Sequence, residues 1–165
     1  MRIIDKTGPL NNFADRDHCL QYMAAIGLIF GELNANHYSN AISSDPRIDV
    51  LREKMLVREN ESFTKDYYDL NKRAIGNSIQ VFFNDGTSTE RIEVQYPIGH
   101  RNRRGEGIPV LKTKFANSLM GVFGKDQQTE ILGIFENSDR LESVGVKEFV
   151  DLFVKNTEGL NDSLA

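Results

Sequence analysis

The sequence predicts an α+β fold: a mixed unit with a β-hairpin and a buried long helix, followed by an all-helical C-terminal segment. Two observations predict the mixed unit. Ile79, Val81 and Phe83 alternate into Asn84-Asp85-Gly86-Thr87, and Ile92, Val94 and Tyr96 alternate out of it. Alternation on both sides of an Asp-Gly turn is a strong hairpin signature. Cys19, Tyr22, Ile26, Ile29 and Leu33 recur at three- and four-residue steps, which marks one face of a long helix. A third observation predicts the helical segment: after Pro109 the apolar period becomes helical and stays so.

The elements follow in order. Thr7-Gly8-Pro9-Leu10-Asn11-Asn12 is turn chemistry. A helix is expected from near Asp15 to about Leu33, with Asn34 and Asn36 as its stop. Leu20, Met23, Gly27 and Phe30 form a second face beside the first, so burial on several sides is expected. Ala24, Ala25, Gly27 and Gly31 would let neighbouring backbones come close. Ser44-Asp45-Pro46 is a helix start, with Asp45 as cap and Pro46 in the first turn. Ile48, Leu51 and Arg52 continue that helix, and Met55, Leu56 and Val57 suit the start of a strand. From Arg58 to Lys72 the chain is polar and reads as a long excursion carrying Tyr67 and Tyr68.

The hairpin's outer face carries Gln80, Glu93 and Gln95, and Pro97 should end the sheet because it has no N–H to donate. Gly99 to Gly107 reads as a Gly- and Arg-rich loop. Lys112 to Phe123 is one expected helix. Gln128, Ile131, Leu132 and Phe135 mark a second, and Val146, Phe149, Val150, Phe153 and Val154 a third. A boundary near Tyr96 separates the two parts.

Composition narrows the function classes. The 165 residues are 39% hydrophobic and 27% charged, ordinary values for a globular chain. With a formal net charge of −4, the surface as a whole is a poor polyanion binder, so any anion site must be a local cluster of cations. Cys19 is the single cysteine, which excludes an intrachain disulfide and a cysteine metal cage. The N-terminus carries no signal-peptide apolar core, and no apolar run is long enough for a bilayer. A reducing cytoplasm is the expected location.

Two clusters can carry chemistry. His100-Arg101-Asn102-Arg103-Arg104 places four potential cations within five residues. Arginine forks match carboxylates in a bidentate way, so the cluster suits a substrate with several carboxylates. The plainer reading is a solvated basic loop or local ion pairs. Nucleic acid is disfavoured by the net charge and by the lack of interleaved aromatics. The second cluster is Asn11-Asn12-Phe13-Ala14-Asp15-Arg16-Asp17-His18, at a helix start where backbone N–H groups favour an anion. His18 suits an acid or base, or a hydrogen-bonded helix-start residue. His18, His37 and His100 are isolated in sequence and form no metal-ligand pair at helical spacing.

These clusters also carry a resemblance. Gly8-Pro9-Leu10-Asn11-Asn12, Ala14-Asp15-Arg16-Asp17-His18-Cys19 and Gln21-Tyr22-Met23 resemble the MmgE/PrpD family, in particular its 2-methylcitrate-dehydrating members. So do Asp45-Pro46-Arg47-Ile48-Asp49, Leu51-Arg52-Glu53-Lys54-Met55 and Phe83-Asn84-Asp85-Gly86-Thr87. Tyr96-Pro97-Ile98-Gly99-His100-Arg101, Arg103-Arg104 and Glu106-Gly107-Ile108-Pro109 extend it. The likeness runs from about Thr7 to Phe115, beyond which the chain matches only as helices.

The resemblance implies a large helical domain and a smaller α+β lid with the active site between them. Residues 1–95 would be a lid-like α+β portion truncated at its N-terminus, and residues 96–165 the returning segment of the helical domain. It implies a hydro-lyase that removes water from 2-methylcitrate to give 2-methyl-cis-aconitate in propionate breakdown, with citrate as a possible second substrate and no cofactor. His100, Arg101 and Arg103, with Arg16 and His18, are the expected holders of the tricarboxylate, and both clusters are expected to face one cleft. The catalytic acid and base have no motif on this chain. The family's members are about three times longer. The implied partners are therefore the missing N-terminal helical domain and, for the parent enzyme, a second copy in a homodimer, and the chain alone is expected to be inactive. A second reading is a non-catalytic carboxylate-binding or complementing subunit of a split protein.

Overall fold

A computed structural model describes residues 3–154; the third apolar stripe is covered, and the segment beyond Val154 lies outside the described residues. The chain packs as two compact units, one up to Thr64 and one from Lys65 onward. The α+β class is as expected, with helices outnumbering strands and a single two-stranded sheet among the described residues.

The first unit is helical. The expected helix from Asp15 to Leu33 is two helices, α1 (Phe13–Arg16) and α2 (Leu20–Phe30). Asn12 caps α1 by accepting from the Asp15 N–H, and the Asp17 N–H closes it on the Phe13 carbonyl. The break has a tertiary cause that periodicity cannot carry: the Leu20 N–H donates to the Ile4 carbonyl at 2.9 Å, and Cys19 takes an extended backbone. Neither Asn34 nor Asn36 stops α2. Gly31 does, at φ +76°, with its N–H on the Gly27 carbonyl. A left-handed residue just past the last turn is the preserve of glycine.

Burial on α2 is one-sided rather than all round. Cys19, Tyr22, Ala25 and Ile26 are buried with Ile48, and Leu10, Ile29, Phe30, Tyr38, Ile42, Leu51 and Met55 pack around them. Leu28 and Leu33 are exposed. Ile48 comes from α4 (Pro46–Arg52), which begins as the sequence predicts: Asp45 accepts from the Arg47 N–H and Pro46 fills the first turn. A 3₁₀ turn (Ala35–Tyr38) and α3 (Asn40–Ser43) connect α2 to α4. No strand forms at Met55–Val57. The polar stretch after Arg58 is not an excursion, since it holds α5 (Glu61–Tyr68). Asn60 starts that helix by accepting from the Ser62 N–H and hydroxyl, a capping signal hidden in a stretch without an apolar stripe.

The second unit contains the hairpin. Strands β1 (Asn77–Ile79) and β2 (Ile92–Val94) pair antiparallel, with Ile79 opposite Ile92. The turn is at the expected place: Gly86 lies at φ +87°, and Asp85 accepts from the Thr87 N–H and hydroxyl. The regular ladder is shorter than the alternation suggested, because the Thr89 hydroxyl takes the Val81 N–H. The sheet ends before Pro97, as expected.

The expected loop from Gly99 to Gly107 is mostly helical. A 3₁₀ turn (Arg101–Arg103) leads into α6 (Arg104–Met120), which starts eight residues earlier than predicted and contains Pro109. Glycine and proline made this stretch read as a loop. Two interactions outweigh that tendency. Arg103 and Glu106 pair through two hydrogen bonds, one turn apart, and the acidic side chain suits a helix start. Gly107 also lies against the Ile98 backbone, where a Cβ would stand 2.3 Å from the carbonyl oxygen. The helices α7 (Lys125–Glu136), α8 (Ser138–Ser143) and α9 (Val146–Asp151) follow. Leu119, Ile131 and Ile134 are buried where α6 meets α7, and Phe135 contacts Phe115 and Phe149 edge-on. Among the described residues no helix is long and apolar enough to cross a membrane.

Candidate functional site

Of the five residues expected to hold an anion, Arg16 and His18 fall in the first unit and His100, Arg101 and Arg103 in the second. In the first unit Arg16 is buried, with 4% of its surface exposed. Its guanidinium donates to the Tyr38 carbonyl at 2.6 Å and to Asn40 Oδ1 at 2.9 Å, and its plane lies 5.9 Å from the Phe13 ring. Those bonds tie α1 to the 3₁₀ turn and to α3. Tyr22 completes the same seam by donating to the His37 carbonyl at 2.6 Å, and burial pushes its hydroxyl pKa up. The neighbouring Asp15 holds Lys6 at 3.1 Å, and that hydrogen bond keeps its carboxyl below the usual range.

His18 is different. It sits in the break between α1 and α2, its side chain is more than half exposed, and Nδ1 lies 2.5 Å from Asp17 Oδ1. With Nδ1–H donating to that carboxylate, the neutral ring presents Nε2 as an acceptor to solvent, the tautomer a proton acceptor needs.

In the second unit the cationic run divides by what each side chain already holds. Arg103 donates to the Tyr96 carbonyl at 3.0 Å and to both Glu106 oxygens; that pairing raises the pKa of Arg103 and lowers that of Glu106. Arg101 reaches across to the Leu70 and Asn71 carbonyls, at 3.3 and 2.6 Å. His100 caps the 3₁₀ turn: its Nδ1 accepts from the Asn102 N–H at 3.1 Å, which leaves Nε2–H as a donor in the neutral ring. Its ring is packed against Tyr96 at a centroid distance of 4.5 Å.

His100 and Arg101, but not Arg103, border a concavity of about 380 Å³ whose other lining residues are Arg73, Ile75, Pro97 and Gly99. Two arginines and a histidine among the residues of one concavity, beside Ile75 and Pro97, are chemistry for a carboxylate on a small organic acid. Sequence reasoning missed Arg73, because it stands alone in Asn71-Lys72-Arg73-Ala74, twenty-seven residues before the basic run. Its signal is in the backbone: at φ +47° it is the one positive-φ residue other than glycine among the described residues. Among those same residues no group of three His, Cys, Asp or Glu side chains could hold a metal ion.

The wall carrying Arg73 is braced by Asp66. Its carboxylate holds Lys72 at 2.6 Å and Gln95 at 3.0 Å, and its carbonyl accepts from the buried Ala74 N–H. The bond to Lys72 is the main reason that the Asp66 pKa is lowered and the Lys72 pKa raised. A lowered carboxyl pKa stabilises the fold above the unfolded value, about 3.9, and the benefit is lost as pH falls through the folded value. The raised Lys72 pKa contributes below the unfolded lysine value, about 10.4, and that part is lost as pH rises through the folded one. Asp66→Asn should therefore lower the melting temperature at pH 7, and the difference from the parent should close as pH falls through the lowered Asp66 value, below the ordinary carboxylate range. A difference that persists undiminished in acid would remove the ion pair as its cause.

A profile of the MmgE/PrpD C-terminal domain matches residues 1–140. The chain belongs to the MmgE/PrpD family. Relatives within the family are close. The mitochondrial 2-methylcitrate dehydratase of Yarrowia lipolytica is 54% identical over 155 residues, which is 94% of this chain and 29% of that protein. The 2-methylcitrate dehydratase of Escherichia coli is 52% identical over 154 residues, 93% of this chain and 32% of that protein. A probable 2-methylcitrate dehydratase of Saccharomyces cerevisiae is 45% identical over 161 residues, 96% of this chain and 30% of that protein. This MmgE/PrpD chain thus spans about a third of the length of the curated relatives that it matches.

Proposed function

We propose that this chain is the C-terminal part of a 2-methylcitrate dehydratase, and that the concavity of its second unit receives a carboxylate of the substrate. The reaction is loss of water from 2-methylcitrate to give 2-methyl-cis-aconitate, a carbon–oxygen lyase step. The observation that carries the proposal is the cationic lining of that concavity, in a chain about half identical to proteins named for this reaction.

Such an elimination needs a base for a carbon-bound proton beside a carboxylate, an acid for the departing hydroxyl, and cations for the developing charge. In the second unit, the Arg101 guanidinium suits the last need through the nitrogens that its carbonyl bonds leave, with the His100 Nε2–H as a neutral donor beside it. Arg103 anchors the run to the Tyr96 carbonyl and to Glu106. In the first unit, His18 has the tautomer of a proton acceptor, and Arg16 shapes the fold around it. In this reading residues 1–95 are lid-like, residues 96–165 belong to a helical domain, and polypeptide corresponding to the rest of the relatives completes the catalytic machinery. A cytoplasmic enzyme acting as a homodimer, with citrate as a second substrate, belongs to the same reading. Ile108, Val110 and Leu111 of α6 are exposed, which also suits a chain that works with a second polypeptide.

The test is a titration of the chain with 2-methylcitrate followed by NMR. Shifts of the His100 ring and the Gly99 amide are expected, with none for the uncharged triester, and the chain alone should not turn the acid over. If 2-methylcitrate leaves both signals unmoved, the carboxylate reading fails; turnover by the isolated chain would end the claim of inactivity.

A further inference from the structure

We infer that Arg73 is a substrate-contacting residue, the guanidinium that grips the carboxylate in the concavity of the second unit. The inference rests on the carboxylate reading above and names the side chain on which it turns.

A left-handed backbone is disfavoured for a side chain as large as arginine, and it persists only where the surroundings over-determine it. They do so here. The Asp69 carbonyl accepts from both the Lys72 and Arg73 N–H groups, at 3.1 and 2.7 Å. Arg101 holds the Leu70 and Asn71 carbonyls just before the turn. On the far side of Arg73, the Ala74 N–H is held by the Asp66 carbonyl, and the Ile75 N–H donates to the Gln95 carbonyl at 3.2 Å. Both flanks of the turn are fixed to other elements, while the residue at its strained centre lines the concavity.

The second line of argument is what the neighbouring cations hold. Arg103 is engaged by a carboxylate and a carbonyl, and one nitrogen of Arg101 is engaged by two carbonyls. The guanidinium of Arg73 has no hydrogen bond or ion pair among the described residues. An unpaired guanidinium on a residue that lines the concavity, with its backbone held in a fixed turn, matches a planar carboxylate.

Strain and binding pull Arg73→Gly in opposite directions, and this makes the test sharp. Glycine suits φ +47° without penalty, so the variant should melt at the parent temperature or above it. Its affinity for 2-methylcitrate should nevertheless fall at least tenfold. Arg73→Gln keeps the backbone class and should lose affinity to a similar degree, whereas Arg73→Lys, which keeps the charge and loses the fork, should fall between. The probe is 2-methylcitrate read by the same NMR shifts, with propionate as the single-carboxylate control. A parent that binds while Arg73→Gly and Arg73→Gln bind equally well would overturn the inference and leave the carboxylate reading intact. A parent that shows no shift at all would sink both.

Discussion

Replacing Gly107 by alanine is expected to destabilise the second unit by about 1–2 kcal/mol, although alanine is the better helix former. The added methyl would lie 2.3 Å from the Ile98 carbonyl oxygen, far inside contact distance, and the obstacle is backbone rather than a movable side chain. Overfilling a packed site costs about 1–3 kcal/mol. The propensity gain of alanine over glycine returns about 1 kcal/mol at most. Relief requires α6 and the Pro97–Gly99 turn to part, and that turn carries the His100 and Arg101 wall of the concavity. The loss of stability should therefore be accompanied by weaker 2-methylcitrate binding. Gly105→Ala is the matched control: nothing lies within 4 Å of its Cβ position, so the same change two residues earlier should be neutral or stabilising. Thermal melts of the two variants side by side check the claim, and equal melting temperatures would refute the close approach.

Arg16→Ala is expected to cost the first unit about 3 kcal/mol, because hydrogen bonds from a charged group contribute about 1.5–3 kcal/mol each. Arg16 makes two, to the Tyr38 carbonyl and to Asn40 Oδ1, and truncation leaves both acceptors without their donor. Arg16→Lys should recover little, since one ammonium cannot reproduce the planar fork that reaches both. Urea denaturation measures this directly. Stability close to that of the parent, with 2-methylcitrate binding lost, would instead place Arg16 among the substrate contacts.

Much of the fold was legible where an element is set by its own residues. Asp45 and Pro46 start α4 where expected, because both the cap and the missing N–H are local effects. The Asp85-Gly86 turn is likewise written in three residues. Errors arose where a distant partner intervened. The Ile4 carbonyl splits one expected helix into two, and Gly107 against Ile98 allows a helix through a stretch whose glycines and proline argue for a loop. The candidate site was legible to the same extent. The basic run from His100 to Arg104 was visible as a block, but its division into engaged and available cations was not, since that depends on Tyr96, Glu106, Leu70 and Asn71. Arg73 had no sequence signal at all, because a lone arginine in a polar stretch looks like any solvated one.

The sequence alone determined the α+β class, the hairpin turn, the capped start of α4 and the family, all of which rest on local chemistry or on strings of adjacent residues. The tertiary structure decided where the long helix breaks, that α6 begins at Arg104, and which cations line the concavity of the second unit. The physical reason is that a hydrogen-bond donor is claimed by whichever acceptor the fold brings near, and chain separation does not encode that proximity.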